Sequence, residues 1–268
     1  MTKLATTDRD PGSPTAALTS TPVLPALGSG EMFDRIAARY DVVNRVLSLG
    51  LDVRWRKRVV RELGLAARSD NAQRAWFGQR PRLLDVATGT GDLAIALARA
   101  CAGATITGLD PSPNMLAIAW RKIDKRGLGE RIGLVEGDAQ ALPFRNCEID
   151  AATIAFGIRN VPDRPKALRE LARVVRPGGR IAVLELGEPR GGVLGRIARI
   201  HSHILVPRIG GLLSGSREYA YLQRSVAAFP APDAFAAIMQ SSGLDVLSVL
   251  PLTFGVCNLY IATPAEEP

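Results

Sequence analysis

A short apolar run, a turn with two glycines and a helix-like stretch follow one another in the first half of the chain. The apolar run covers residues 83–86, the glycines are Gly89 and Gly91, and residues 92–100 are helix formers. Glycine lets the backbone approach a ligand closely, and the first turn of a helix offers unpaired N–H groups. The stretch therefore predicts a nucleotide-like ligand at Gly89, Thr90 and Gly91. A turn that only joins a strand to a helix is the alternative.

The acidic residues in and after this stretch help to distinguish between two nucleotide-like ligands. Residues 89–94 fit the dinucleotide pattern G-x-G-x-x-G/A, and Asp110 follows at the distance expected of a ribose-binding acid. Asp92, in the first helical turn, would repel a pyrophosphate but suits the cationic amino-acid end of S-adenosylmethionine. Asp85 adds a second acid at the strand end. The stretch therefore favours the methyl donor and leaves NAD open.

Apolar runs alternate with helix-like stretches over most of the chain. Predicted strands cover residues 83–86, 104–110, 132–138, 149–156 and 180–186, with helices at 111–125 and 165–175 and a turn at 176–179. We expect strands buried on both faces of a parallel, doubly wound sheet, which is an α/β fold. A final hairpin over residues 244–252 and 253–261 would complete seven mostly parallel strands. A ligand would bind at the carboxyl ends of the strands.

The flanks differ in composition from this centre. Residues 1–29 are rich in Pro, Thr, Ser, Ala and Gly and are predicted to be a disordered leader. Residues 30–264 are predicted to form one domain, with helices before the first strand, one of them capped by Asp52. Residues 191–242 are predicted to be a helical insertion on the substrate side.

Composition excludes several functional classes. The 268 residues carry 34 basic and 26 acidic side chains, but no basic run is interleaved with aromatic residues, which argues against a nucleic-acid-binding module. The three cysteines are far apart and form no C-x-x-C pair, so neither a metal site nor a disulfide frame is expected. With no apolar span of transmembrane length and no secretory h-region, the sequence predicts a cytoplasmic protein.

Two features downstream of the glycine turn favour the methyl donor. An acid and a small residue, Asp138 and Ala139, lie at the carboxyl end of the third predicted strand, where they suit a site for an adenine ring. The sequence Arg-Pro-Gly-Gly at 176–179 lies between a helix and a strand. Together with the glycine turn and Asp110, these features resemble the class I S-adenosylmethionine-dependent methyltransferases.

The resemblance extends to one family within this class. Its motifs are similar to residues 33–41 (FDRIAARYD) with Asn44, 47–50 (LSLG) and 55–56 (WR), and to residues 85–92 (DVATGTGD), 156–161 (FGIRNV) and 207–210 (PRIG). These stretches resemble the ubiquinone/menaquinone biosynthesis C-methyltransferase family, which includes the demethylmenaquinone methyltransferases, over about residues 31–262. The resemblance implies that Thr90 contacts the donor, Asp110 its ribose, and Asp138 with Ala139 the adenine region. Ala155 stands where many members have serine, so no donor contact is carried onto it.

The resemblance also implies a reaction and an acceptor. The family transfers a methyl group to a ring carbon of a reduced polyprenyl quinone precursor, and such a carbon becomes nucleophilic when the adjacent hydroxyl loses its proton. Arg159 and Asn160, after the fourth strand, are candidates to stabilise the phenolate, with a structural ion pair of Arg159 as the alternative. No base is assigned.

The prenyl tail of such an acceptor belongs in a membrane. The basic amphipathic stretch 191–208 can contact the inner face of the cell membrane or form the lip of a tunnel for the tail, or it can pack on the core as an ordinary helix. The motifs favour a demethylmenaquinol acceptor. A benzoquinol, another small-molecule acceptor and an NAD-dependent dehydrogenase are the alternatives. The oligomeric state stays open, a homodimer included.

Overall fold

The computed structural model describes residues 34, 37, 41, 44, 45, 48–64, 80–188 and 216–266. The predicted leader, the stretch 191–208 and the motif at 207–210 lie outside these residues.

The described residues form six helices and seven strands. In chain order these are α1 (Leu51–Glu62), β1 (Arg82–Val86), α2 (Asp92–Ala100), β2 (Thr105–Asp110), α3 (Pro113–Asp124), β3 (Ile132–Glu136), β4 (Ile149–Ala155), α4 (Arg164–Val174), β5 (Val175–Leu186), α5 (Ser216–Ala227), α6 (Pro232–Ser241), β6 (Leu244–Leu252) and β7 (Cys257–Pro264). Short 3-10 turns lie at Ile158–Asn160 and Thr253–Gly255.

The strands form one sheet in the order β3-β2-β1-β4-β5-β7-β6. The first five strands are parallel, and β7 runs antiparallel to both β5 and β6. The predicted parallel, doubly wound sheet with a terminal hairpin is therefore confirmed. Because β1, β2, β3 and β4 are parallel, their carboxyl ends lie along one edge of the sheet, where the predicted ligand residues follow.

Two hydrophobic clusters cover the two faces of the sheet. Successive residues of a strand point to opposite faces, so Leu83 belongs to the cluster with α1 and α2, and Leu84 to the cluster with α4 and α6. The prediction that each strand is buried on both faces is wrong for β3, where Val135 is 36% exposed. The physical reason is that β3 is an edge strand of the sheet.

Two local predictions are corrected by the backbone. Asp52 does not cap a helix, because α1 begins at Leu51 after Gly50, whose left-handed φ of 75° places it at the N-cap. Asp52 lies in the first turn of α1 instead, where its charge suits the helix dipole. The turn at 176–179 lies within β5: Val175 pairs with Ile149, and Arg180 pairs with Ala151.

No helix in the described part of the chain is long and apolar enough to cross a membrane. The three cysteines are free thiols, two of them buried and Cys147 exposed.

Candidate active site

An open pocket lies at the carboxyl ends of β1 and β4. Strand β1 ends beside it with Asp85, the glycine turn follows, and α2 begins at Asp92. Strand β4 contributes its last residue and the one after it, and α1 contributes one side chain. The residues that line the pocket are Arg56, Asp85, Ala87, Thr88, Gly89, Thr90, Asp92, Leu93, Ala155 and Phe156.

Hydrogen bonds to β2 and the close packing of α3 set the shape of the glycine turn. The backbone N–H of Thr88 donates to the Leu109 carbonyl at 3.0 Å, and that of Gly89 donates to the Asp110 carboxylate at 2.7 Å. Gly91 has a φ of 80°, and a Cβ there would lie 3.1 Å from the Cβ of Ala119 on α3. Glycine is therefore required for both backbone conformation and packing at this position.

Asp85 is almost fully buried at the end of β1. Its carboxylate accepts hydrogen bonds from the hydroxyls of Thr88 and Thr153, both at 2.7 Å. Burial raises the pKa of Asp85 to about 6, and the two hydroxyls oppose this rise. The charge of Arg56 also opposes the rise, and a further cation that enters the pocket would favour the ionised form of Asp85.

We expect the Asp85→Asn variant to be more stable than the natural protein at neutral pH. Because burial raises the pKa of Asp85 from 3.8 to about 6, the folded state binds more protons than the unfolded state between these values, so stability falls as pH rises through this window. Asparagine does not ionise, so the variant does not lose this free energy of unfolding as pH rises. We expect a gain of about 1–3 kcal/mol at pH 7.5 that nearly vanishes at pH 4.

Urea unfolding of both proteins at pH 7.5 and pH 4 measures this difference. Asp245→Asn, at an exposed position of β6, is the matched control and should show no such pH dependence. A gain from Asp85→Asn that is equal at both pH values would contradict the burial of an ionised Asp85.

Asp110, at the end of β2, is held by two backbone donors. Gly89 donates to one oxygen, and the Ser112 N–H donates to the other at 3.0 Å. Burial raises the pKa of Asp110 to about 6; the two donors oppose the rise, and Asp34 adds to it. A carboxylate oxygen accepts two hydrogen bonds, so each oxygen retains one position for a donor of a vicinal diol.

Thr90 links the glycine turn to the N-terminal part of the chain. Its hydroxyl donates to Asp41 at 2.6 Å and accepts from the Lys122 ammonium at 3.0 Å. Lys122 also pairs with Asp41 at 2.9 Å and with Asp92. Burial opposes charge on Asp92, but the hydrogen bond and charge of Lys122, helped by Arg56 and Arg45, outweigh it and lower the pKa of Asp92. The sequence predicted no role for Lys122.

Asp138 and Ala139 follow β3 at the same edge of the sheet, one strand beyond Asp110. Asp138 is exposed, and its carboxylate accepts from both the backbone N–H and the side-chain amide of Gln140, at 2.9 and 2.8 Å. Ala139 is buried in the core. The structure thus places Asp110 and Asp138 at the ends of neighbouring strands, as the sequence predicted.

Arg159 and Asn160 lie in the 3-10 turn that follows β4. The Arg159 guanidinium donates to the buried Glu185 carboxylate at 2.8 Å and to the Phe156 carbonyl at 2.5 Å, and its backbone N–H donates to Glu185 at 3.1 Å. The Asn160 side-chain oxygen accepts from the Tyr221 hydroxyl at 2.9 Å. The ion pair that was the alternative for Arg159 is therefore present, and its catalytic role stays a prediction.

Phe156 and Arg56 belong to motifs of the sequence, but no role in the pocket was predicted for either. Phe156 lies within a motif but lines the pocket itself, in a left-handed conformation with a φ of 59°. Arg56 on α1 lies with its guanidinium 5.6 Å from the centre of the Phe156 ring. The i, i+4 spacing of Asp52 and Arg56 was the available signal, since it predicts an ion pair on one helix face.

The donor set of the pocket fits S-adenosylmethionine. Asp85 and Asp92 face the pocket with negative charge, which complements a sulfonium and an ammonium, and Arg56 supplies the one cation among the described residues that line it. The carboxylates of Asp85 and Asp92 would repel a pyrophosphate. Within the described ranges, no group of three or more His, Cys, Asp or Glu side chains is placed to hold a metal ion.

Solved structures share this fold. The [4+2]-cyclase SpnF matches with a TM-score of 0.63 and 18% sequence identity, over 88% of this chain and 96% of its own. A putative S-adenosylmethionine-dependent methyltransferase from Methanococcus maripaludis matches with a TM-score of 0.59 and 19% identity, over 88% and 95%. Fold and site together define a class I S-adenosylmethionine-dependent methyltransferase.

Sequence comparison identifies the family. The model of the ubiE/COQ5 methyltransferase family matches residues 27–264. The demethylmenaquinone methyltransferase of Thermus thermophilus is 48% identical over 231 residues, which are 86% of this chain and 98% of that protein. The ubiquinone/menaquinone biosynthesis C-methyltransferase UbiE of Syntrophotalea carbinolica is 44% identical over 237 residues, 88% and 94% of the two chains. The chain belongs to the ubiE/COQ5 methyltransferase family, and S-adenosylmethionine is its methyl donor.

Proposed function

We propose that this protein transfers a methyl group from S-adenosylmethionine to a ring carbon of demethylmenaquinol in quinone biosynthesis. The relative from Thermus thermophilus, whose name specifies demethylmenaquinone, is 48% identical over almost its whole length, and this observation carries the choice of acceptor. Methylation of a benzoquinol is the second candidate, because the relative from Syntrophotalea carbinolica is named for both quinones.

The carboxyl edge of the sheet supports a division of the donor-binding roles. When bound, S-adenosylmethionine supplies an electrophilic methyl group on its sulfonium. Asp110, with one acceptor position left on each oxygen, binds the ribose hydroxyls, and Asp138 with Ala139 holds the adenine region. Asp85 binds the cationic end of the donor. Gly89 and Thr90 of the glycine turn form part of the wall along which the ligand lies, and Gly91 lets the turn pack closely against α3.

The loop after β4 supports the chemistry on the acceptor. Phe156 belongs both to the wall of the donor pocket and to the hydrogen-bonded cluster of Arg159 and Asn160. An arginine is always protonated, so Arg159 acts by stabilising the phenolate that forms when the acceptor hydroxyl loses its proton. Glu185 fixes the position of this guanidinium. None of the described residues is assigned as the base.

The experiment that tests this function is methyl transfer from labelled S-adenosylmethionine to two reduced acceptors, a demethylmenaquinol and a demethylated benzoquinol. We expect the naphthoquinol to be labelled at least about tenfold faster. Oxidised acceptors are the control and should not be labelled, because a quinone has no hydroxyl to ionise. Faster labelling of the benzoquinol would move the protein to the ubiquinone pathway. If the donor binds and neither acceptor is labelled, the proposed acceptor class is wrong.

We also propose that the enzyme is cytoplasmic and contacts the inner face of the membrane, where a polyprenyl acceptor resides. The basic amphipathic stretch 191–208, outside the described residues, is the proposed contact. Replacing Ile197 and Ile200 by serine should weaken sedimentation with anionic lipid vesicles and leave donor binding intact. Unchanged sedimentation would indicate that this stretch packs on the core instead.

A further inference from the structure

Arg56 lies in the wall of the donor pocket although no motif gives it a task there. It projects from α1, its side chain is 14% exposed, and it lines the pocket together with residues of the glycine turn. A cation in this wall is unexpected, since the donor carries positive charge on its sulfonium and ammonium. Arg56 pairs with Asp52 and lies near Asp92, and from this position it can also receive a negative group of a ligand.

The orientation of Arg56 is set by two neighbours. Asp52, one helical turn earlier, accepts a hydrogen bond from Nη1 at 2.5 Å, and the ring of Phe156 lies under the guanidinium at 5.6 Å. Asp92 is 4.0 Å from Nη1, beyond hydrogen-bond distance. A guanidinium carries five N–H donors, so the bond to Asp52 leaves others for a ligand. The side chain of Arg56 is therefore held in place and still has N–H donors that can bind a ligand.

The neighbouring cations are less suited to this task. Lys122 has three N–H donors, and Asp41, Asp92 and Thr90 account for all three. Arg45 is 49% exposed and does not line the pocket. Among the described residues, Arg56 is thus the cation that both faces the pocket and retains donors. Arginine also matches a carboxylate geometrically, because two of its N–H groups are parallel.

We propose that Arg56 binds the carboxylate of the methionine part of S-adenosylmethionine, while Asp85 and Asp92 face the ammonium and sulfonium. The inference rests on S-adenosylmethionine as the donor. It makes the pocket complementary to the whole charge pattern of an amino-acid sulfonium. It also assigns Arg56 as a specificity-determining residue, one that distinguishes ligands with and without a carboxylate.

Calorimetric binding of three ligands tests this assignment without any turnover. The ligands are S-adenosylmethionine, its product S-adenosylhomocysteine, which keeps the carboxylate and lacks the sulfonium charge, and decarboxylated S-adenosylmethionine, which keeps that charge and lacks the carboxylate. We expect the natural protein to bind decarboxylated S-adenosylmethionine about 10- to 100-fold more weakly than S-adenosylmethionine. We expect Arg56→Met to weaken binding of both carboxylate ligands by a similar factor and to change binding of the decarboxylated ligand less than about threefold.

Two further variants separate binding from structure. Arg56→Lys keeps the charge and loses the parallel donors, so it should recover only part of the discrimination. Arg58→Met is the matched control, because Arg58 lies on the same helix and pairs with Glu62 away from the pocket. It should bind all three ligands like the natural protein. Thermal unfolding of each variant shows whether it is folded.

Two results would overturn the proposal, and a third would remove the assignment on which it rests. Equal weakening of all three ligands in Arg56→Met would mean that Arg56 only supports Asp52 and Phe156. A natural protein that binds the decarboxylated ligand as tightly as S-adenosylmethionine would show that nothing in the pocket recognises the carboxylate. A folded natural protein that binds none of the ligands would instead remove the donor assignment itself, which is a separate failure.

Discussion

Replacing Gly157 by alanine is expected to cost the protein both stability and donor binding. A Cβ at this position would lie 2.4 Å from the Cβ of Ala87 and 3.3 Å from Cγ1 of Ile154. Ala87 lines the pocket and already has a strained, left-handed φ of 52°, so its backbone cannot shift away from the new Cβ without further strain. Overpacking of this kind costs about 1–3 kcal/mol, and the displacement would widen or close the pocket. We expect donor affinity to fall by at least about tenfold.

The matched control is the same change at a glycine with open space around it. A Cβ at Gly133 on β3 would meet no atom within 4 Å, so Gly133→Ala should retain both properties. Urea unfolding gives the free energy of unfolding of each variant, and calorimetry gives its affinity for S-adenosylmethionine. If Gly157→Ala behaves like Gly133→Ala, the loops after β1 and β4 are not in the close contact described.

Replacing Glu185 by leucine is expected to destabilise the protein by about 3–5 kcal/mol. Glu185 is fully buried on β5, and the Arg159 guanidinium paired with it is 6% exposed. Removing one partner leaves a buried charge without compensation, which is far more costly than the pair is favourable. The loop after β4 would also lose the acceptor for the Arg159 backbone N–H.

The double variant Arg159→Met, Glu185→Leu separates the structural role of the pair from its role in catalysis. Because both charges are removed and apolar volume replaces them, we expect it to be more stable than Glu185→Leu alone. Urea unfolding measures this recovery. We also expect it to bind S-adenosylmethionine and to lose most methyl transfer, since the guanidinium is absent. A stable double variant with natural activity would show that Arg159 serves only the fold, whereas a double variant less stable than Glu185→Leu would contradict the ion-pair argument.

The local patterns of the sequence predicted the elements and the ligand edge. Strand and helix periodicities depend on near neighbours along the chain, which is why the alternation, the glycine turn and the final hairpin could be derived. The resemblance in the motifs supplied the family. Asp110 and Asp138 could be placed at one edge because parallel strands end together. One error has the same local origin. Aspartate is a common N-cap residue, so Asp52 was predicted to cap the helix, but the N-cap is Gly50 in a left-handed conformation, and the helix begins at Leu51.

What the sequence by itself determined was therefore the class of fold, the glycine turn beside the pocket and the family. Only the tertiary structure decided which charges meet. Lys122 and Asp41 are 81 residues apart, and Arg159 and Glu185 are 26 apart, with no periodicity to connect them. Arg56 faces the donor pocket because α1 packs against α2 and Phe156, a contact between distant segments. Pairing of this kind depends on how the helices pack on the finished sheet, so no pattern along the chain predicts it.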